Sequence, residues 1–183
     1  MKTMMNKFKW ILLLLPLPAY ASIQCDHASW NDNLTQFNRL ESNYNRYVET
    51  FNTLLTEHKQ RQLLSQTFSL RELTLLWQAQ TNQRAFQSQL KASIQYREEL
   101  TSKARELEKL SIESNWMANG WQKLASKCEI SDATANQISA EWYQTNASQL
   151  AKDYMQLATQ YLGLAQLYDK EANALKYVQN ESD

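Results

Sequence analysis

The feature that most limits the fold of this 183-residue chain is its shortage of residues that make turns. Its only two prolines, Pro16 and Pro18, lie near the N-terminus, and its only two glycines are Gly120 and Gly163. Tight turns most often require proline or glycine, so a sandwich or barrel with many turns is excluded. We therefore expect an all-α fold made of a few long helices.

Residues 1–21 have the parts of a cleavable signal peptide. Three lysines precede an apolar run that ends at Leu17, and Ala19 and Ala21 are the small residues that signal peptidase reads. The run is much shorter than the roughly 20 residues that a membrane-spanning helix needs. We expect cleavage before Ser22, no stable membrane anchor afterwards, and a single helical coiled-coil domain over residues 22–183 that is periplasmic or secreted.

The charges do not point to nucleic acid as a partner. The chain has 19 basic and 19 acidic residues, and the predicted signal peptide holds three of the basic residues and none of the acidic ones. The mature chain therefore carries 16 minus 19, a formal net charge of −3. Proteins that bind nucleic acid usually present an excess of lysine and arginine.

Two cysteines, Cys25 and Cys128, lie in the predicted mature chain. An even pair in an exported protein predicts a disulfide, because the compartments outside the cytoplasm are oxidising. Two alternatives are a pair of buried thiols and a metal site built from Cys25, Asp26 and His27. The metal site is disfavoured because zinc normally takes four ligands and the only other histidine, His58, lies far along the chain. We expect no metal and no cofactor.

Three segments repeat their apolar residues with the spacing of a helix. The first covers about residues 29–65, with Ser29 as its expected N-cap. The second starts after Ser69, where Ser69 and Glu72 have the spacing of a capping box, and runs to about residue 115. The third covers about residues 132–178. We expect these helices to form an elongated three-helix antiparallel coiled-coil bundle, up-down-up, with the disulfide at its base.

The third segment repeats leucine, alanine and tyrosine every seven residues, with its tyrosines at Tyr154, Tyr161 and Tyr168. Leucine and tyrosine alternate along one seam at spacings of four and three, as coiled-coil packing requires. The tyrosine row is either part of the core or a binding stripe, since rigid amphipathic rings are common in interfaces. We favour the core, with the hydroxyls at its solvent edge.

Trp116 and Trp121 lie on either side of Gly120. Glycine weakens a helix by about 1 kcal/mol relative to alanine, so a kink or short break is expected here. The two tryptophans either form a ligand-binding surface or close the end of the bundle by packing against Trp30. We expect the second arrangement, because large aromatic side chains more often fill cores.

The turn between the first two helices is crowded with apolar residues that cannot all face inward: Leu63, Leu64, Phe68, Leu70, Leu75, Leu76 and Trp77. Exposed apolar clusters usually mark contact sites. We therefore predict that a protein partner, or a second copy of the chain, binds at this tip through Phe68, Trp77 and Leu70. The alternative is that the third helix or its C-terminal tail folds over the tip and buries these side chains.

The sequence contains no motif of catalysis that we can identify, such as a glycine-rich phosphate loop, a G-x-S-x-G elbow or H-E-x-x-H. The adjacent Glu98 and Glu99 point about 100° apart on a helix, so they do not converge on one reacting atom. We expect a non-enzymatic protein that binds a partner in the cell envelope, as an adaptor, a chaperone or a subunit of a secretion, pilus or efflux assembly. The alternative function is an inhibitor or immunity protein specific for one enzyme.

Overall fold

The computed structural model describes residues 25–182, so the predicted signal peptide and its cleavage site lie outside the described residues. The described chain is helical except for short connections and contains no strand, which confirms the all-α prediction. Its helices are α1 (His27–Lys59), α2 (Leu64–Thr67), α3 (Leu70–Gln78), α4 (Gln80–Ile130) and α5 (Thr134–Ser182). None of them has a stretch long and apolar enough to span a membrane.

The long helices α4 and α5 form the main packed pair. They run antiparallel, because Ser111 near the middle of α4 donates a hydrogen bond to the carbonyl of Ala151 at 2.8 Å, whereas Arg97, earlier in α4, pairs with Asp169 at 3.1 Å, later in α5. Small buried residues such as Ala104 and Ala158 lie within this pair. Small side chains let two helix backbones approach closely, so the pair supplies a continuous core.

Helix α1 lies against this pair and is held by the tyrosine row of α5. The hydroxyl of Tyr154 donates to the carbonyl of Leu40 at 2.6 Å, and that of Tyr161 donates to the carbonyl of Tyr47 at 3.1 Å. Tyr154, Tyr161 and Tyr168 are all buried, so the row belongs to the core, as we favoured. The hydroxyls do not reach solvent at the edge of the core. Instead, two of them bond to the backbone of α1.

The predicted disulfide between Cys25 and Cys128 is present, with the two Cα atoms 4.8 Å apart. It joins the chain just before α1 to the last turn of α4. The bond also excludes the alternative metal site, because Cys25 Sγ is no longer a free thiolate. We call the end that holds this disulfide the base, and the opposite end, which holds α2 and α3, the tip.

Several helix boundaries differ from the predictions. The N-cap of α1 is Asp26, three residues before the predicted Ser29, because the Asp26 carboxylate accepts a hydrogen bond from the Ser29 amide. The capping box of Ser69 and Glu72 is confirmed at the start of α3. The predicted second helix is interrupted at Ala79, which has an extended backbone conformation, and the chain then continues as α4 to Ile130.

The expected short break at Gly120 is wrong, because α4 is continuous through this residue. The glycine has a packing role instead. A Cβ atom at position 120 would lie 3.1 Å from Oδ1 of Asn33, which is closer than ordinary van der Waals contact. Gly120 therefore allows α1 to approach α4 near the base.

The buried residues form two separate clusters. The larger cluster runs along the long helices from the disulfide upward and includes Trp121, with Trp30 packed against it in a T-shaped contact at 5.2 Å between ring centroids. This confirms the predicted packing of these two tryptophans at the base. The smaller cluster lies at the tip and consists of Leu73, Trp77, Phe86, Leu175 and Val178. The two ends of the protein thus have different cores.

Candidate partner-binding surfaces

The structure places Trp77, a predicted anchor for a partner at the tip, inside the core of the tip. Its side chain is 5% exposed and packs against Phe86 at 5.8 Å between ring centroids. Leu175 and Val178, near the end of α5, belong to the same cluster. The third long helix therefore covers Trp77, as in the alternative that the sequence left open, and Trp77 does not present a surface to a partner in this conformation.

The other two predicted residues remain nearer the surface. Leu70 is 48% exposed and Phe68 is half-buried against the tip cluster. Leu75, five residues further along α3, is 60% exposed. We call Phe68, Leu70 and Leu75 the tip surface. Its role in binding stays a prediction, which now depends on these three side chains and not on Trp77.

The tip surface is held in place by a buried carboxylate. Glu171 of α5 is 0% exposed, and it accepts hydrogen bonds from the backbone amides of Leu64 at 3.0 Å and Ser65 at 2.7 Å. The side chain of Gln89 donates a third bond to it at 3.1 Å. The first amides of a helix have no partner within the helix, so Glu171 satisfies those of α2 from another helix. This network ties the turn after α1 to α4 and α5.

A second apolar surface lies near the base, on the outward side of α4. Trp116 is 70% exposed and Ile112, one turn before it, is also exposed. They border a groove of about 450 Å³ between α1 and α4, lined by Asn33, Gln36, Lys109, Ile112, Glu113, Trp116 and Met117. The expectation that Trp116 closes the end of the bundle beside Trp121 is therefore wrong. The two tryptophans are five residues apart, which turns them about 140° away from each other on a helix.

Exposed cations flank Trp116 on the same face of α4. Lys109 and Lys123 lie seven residues before and seven residues after it, a spacing that returns to nearly the same side of a helix. We call Lys109, Ile112, Trp116 and Lys123 the α4 stripe. Within residues 25–182, neither lysine forms an ion pair. The acid nearest to Trp116 in sequence, Glu113, is paired with Arg39 of α1.

The boundary between α1 and α4 has further polar contacts that fix the sides of the groove. Above it, the hydroxyl of Tyr47 donates to Glu106 at 2.5 Å. Burial, together with this hydrogen bond, raises the pKa of Tyr47 to about 12. At the base, hydrogen bonds from Ser29 and from Lys127 lower the pKa of Asp26 to about 2. Both contacts therefore keep their bonded form at neutral pH and hold α1 beside α4.

Sequence reasoning missed the α4 stripe, although a signal for it exists. Ser114, Trp121 and Cys128 recur every seven residues and are all buried, so they define the inward side of α4. Counted from them, Trp116 falls on the outward side with the two lysines. Because tryptophan is common in cores, Trp116 was predicted to be buried. Its position on the helix relative to the buried row places it on the outward side instead.

No group of three or more histidine, cysteine, aspartate or glutamate side chains that could hold a metal ion occurs within the described residues. No protein-family model, curated protein or solved structure matches this chain.

Proposed function

We propose that the mature chain is a non-enzymatic exported protein that binds a protein partner in the cell envelope. The observation that carries the proposal is the exposure of large apolar side chains at both ends of a chain whose own core is closed. Trp116 and Ile112 are exposed near the base, and Leu70 and Leu75 at the tip. Clustered exposed apolar side chains on a protein of this size are typical of contact sites.

The framework that presents these surfaces is, in our interpretation, an up-down-up three-helix coiled-coil bundle. The contacts of α1 with α5 support it, because residue numbers rise together from Leu40 with Tyr154 to Tyr47 with Tyr161. Helix α4 runs opposite to α5 and lies against both. Such a rod offers long shallow surfaces, which suit a protein partner or a second copy of the chain better than a small molecule.

The signal-like N-terminus and the disulfide support the proposed location. A structural disulfide persists in oxidising compartments and is rare in the cytosol. We therefore propose that the mature protein works in the periplasm or is secreted. Mass spectrometry of the protein recovered from the envelope fraction would test this: a chain that begins at Ser22 is expected, and an intact Met1 in the cytosol would contradict it.

Affinity capture tests the binding function. Residues 22–183, immobilised with the disulfide intact, should retain a specific protein from the envelope fraction of the producing cells. The control is a variant in which Leu70, Leu75, Ile112 and Trp116 are all changed to serine, which should keep its melting temperature because these side chains are exposed, yet lose the retained protein. If the unmodified chain retains nothing beyond this variant, the proposal fails.

The identity of the retained protein separates the candidate roles. An inhibitor or immunity protein should bind one enzyme in a fixed ratio and stop its activity. A chaperone should lower the aggregation of several unrelated unfolded proteins, and an adaptor or assembly subunit should do neither. We favour the adaptor or assembly role, because the exposed apolar side chains form small separate surfaces on a closed core and not one broad apolar face for unfolded clients.

A further inference from the structure

We infer that the α4 stripe binds an acidic segment of the partner, with one apolar side chain of that segment packed against Trp116 in the groove between α1 and α4. This inference rests on the proposed function and adds to it the site and the chemistry of the partner. It concerns the base and does not depend on the tip surface.

The shape of the site supports a protein side chain as the anchor. The groove has two walls, since α1 supplies Asn33 and Gln36 and α4 supplies Ile112, Trp116 and Met117. Its volume of about 450 Å³ is enough for one or two large side chains. The amide side chains on the α1 wall can donate to and accept from a peptide backbone. A largely exposed tryptophan beside such a groove has the character of an interface hot spot.

The charges around the groove favour an acidic occupant. Lys109 and Lys123 lie on either side of Trp116 and are free of ion pairs among the described residues. Arg39 pairs with Glu113 at the edge of the groove, which offsets the charge of that acid. A segment with carboxylates about two helical turns on either side of an apolar residue would match this pattern. By contrast, the tip surface carries Arg71 and Glu72 side by side, and therefore has no preference for one sign.

Site-directed photocrosslinking tests both the place and the chemistry. Benzoylphenylalanine is introduced at Asn119, which is exposed and lies one turn after Trp116, so that Trp116 itself is retained. The matched control carries the same group at Gln160, an exposed position of α5. After irradiation in the producing cells, the adduct from position 119 should map to a partner segment with net negative charge and an aromatic or aliphatic residue. Position 160 should give no such adduct.

Charge reversal supplies the second measurement. The double variant Lys109→Glu with Lys123→Glu should lower the yield of the adduct about tenfold, as expected when two favourable surface charge contacts become unfavourable. The control Lys152→Glu with Lys170→Glu changes the net charge equally on exposed positions of α5 and should leave the yield unchanged. Equal losses in the two double variants would overturn the inference, because they would indicate a nonspecific effect of net charge.

Other results would overturn the inference or the proposed function. An adduct with a neutral or basic segment, or an adduct from position 160 alone, would overturn the inference. So would binding of the protein to vesicles of phosphatidylethanolamine and phosphatidylglycerol that is lost in Lys109→Glu with Lys123→Glu, since the stripe would then contact a membrane surface. If the unmodified protein captures a partner but position 119 gives no adduct, the stripe is wrong and the proposed function stands. If it captures none, both fail.

Discussion

The base and the tip of this protein are both closed by aromatic side chains, but the physical means differ. At the base, Trp121 is stacked on Tyr143 at 4.5 Å between ring centroids, and the Cys25–Cys128 disulfide crosses the same end. At the tip there is no covalent link in the described chain. Two short helices, α2 and α3, are held there by a five-residue cluster and by the buried carboxylate of Glu171.

This difference indicates how stability is distributed along the molecule. At the base, the long helix α4 is joined to the start of α1 by the disulfide. The tip is made of short segments that depend on contacts with α5, so it can open while the long helices remain folded. Segments with few buried contacts usually open at a lower free-energy cost than the rest of a protein.

The largest effect is expected from removal of the disulfide. Changing both Cys25 and Cys128 to serine frees two residues that are 103 positions apart, and the chain-entropy model assigns such a loop up to about 4.7 kcal/mol. Urea denaturation should show a loss of about that size. A reducing agent should bring the unmodified protein to the same midpoint and leave the variant unchanged. A loss below about 1 kcal/mol would mean that the base is not pinned by this bond.

The two buried tryptophans allow a direct comparison of the ends. Trp121→Ala should lower the free energy of unfolding by about 4 kcal/mol and Trp77→Ala by about 3 kcal/mol, because the short helices at the tip can close part of the cavity. Thermal and urea denaturation of the two variants would measure the difference. Leu75→Ala, at an exposed position of α3, is the control and should cost little. A larger loss for Trp77 would reverse the comparison.

A Trp121→Phe variant separates the contribution of the apolar ring from that of the indole N–H. The indole Nε1 of Trp121 is buried and has no hydrogen-bond partner within residues 25–182. Phenylalanine keeps most of the apolar ring and removes this unpaired donor, whose burial is unfavourable. The phenylalanine variant should therefore be clearly more stable than the alanine variant.

A smaller and more local effect is expected at Glu171. Glu171→Gln replaces one carboxylate oxygen by an NH₂ group that faces backbone amides, so a buried donor loses its acceptor at a cost of about 1 to 3 kcal/mol. Hydrogen exchange should accelerate over residues 64–78 and remain unchanged in the half of α4 next to the disulfide. The control Glu141→Gln alters an exposed carboxylate that, within residues 25–182, bonds to Gln137 on the same helix and to no other side chain. Faster exchange at both ends would show that the ends are not independent.

The smallest effect concerns the pH dependence at the base. The pKa of Asp26 is lowered from 3.8 to about 2 in the folded chain, so its bonds with Ser29 and Lys127 stabilise the fold above about pH 4, and this contribution is lost as the pH falls towards 2. Asp26→Asn should therefore lower the melting temperature slightly at pH 7, with the gap closing at pH 2. The carboxylate is exposed and screened by solvent, so the shift is small. A constant gap across this range would contradict the assignment.

The sequence predicted the features that depend on local spacing and on simple chemistry. The all-helical fold, the disulfide, the capping box at Ser69 and the burial of the tyrosine row all follow from residue type and period. The break at Ala79 could not be predicted in this way, because neither proline nor glycine marks it and the side chain of Asn82 stabilises it by donating to the carbonyl of Leu76. This contact is local, but the spacing of apolar residues does not reveal it.

The candidate sites were predicted less well than the fold. The apolar crowding at the tip indicated a surface, but it could not identify which side chains α5 covers, because that depends on the length of α5 relative to the other helices. Trp77 was therefore placed on the wrong side of the tip. At the base, Trp116 was grouped with Trp121 by composition, although its helical phase separates the two. In both cases the direction of the side chain, and not its type, decided its role.

The hydrogen bonds of the tyrosine row also specify the register of α1 along α5. A slip of seven residues would bring Tyr161 to the carbonyl of Leu40 and Tyr168 to that of Tyr47, so two places of the repeat are interchangeable. The third tyrosine is not interchangeable with them. The hydroxyl of Tyr168 lies 3.3 Å from Nδ1 of His58, which is a side-chain atom and not a backbone carbonyl. A slipped α1 would leave His58 without its contact with Tyr168. The contact of Tyr168 with His58 thus distinguishes the correct register of α1 from one that has slipped by seven residues.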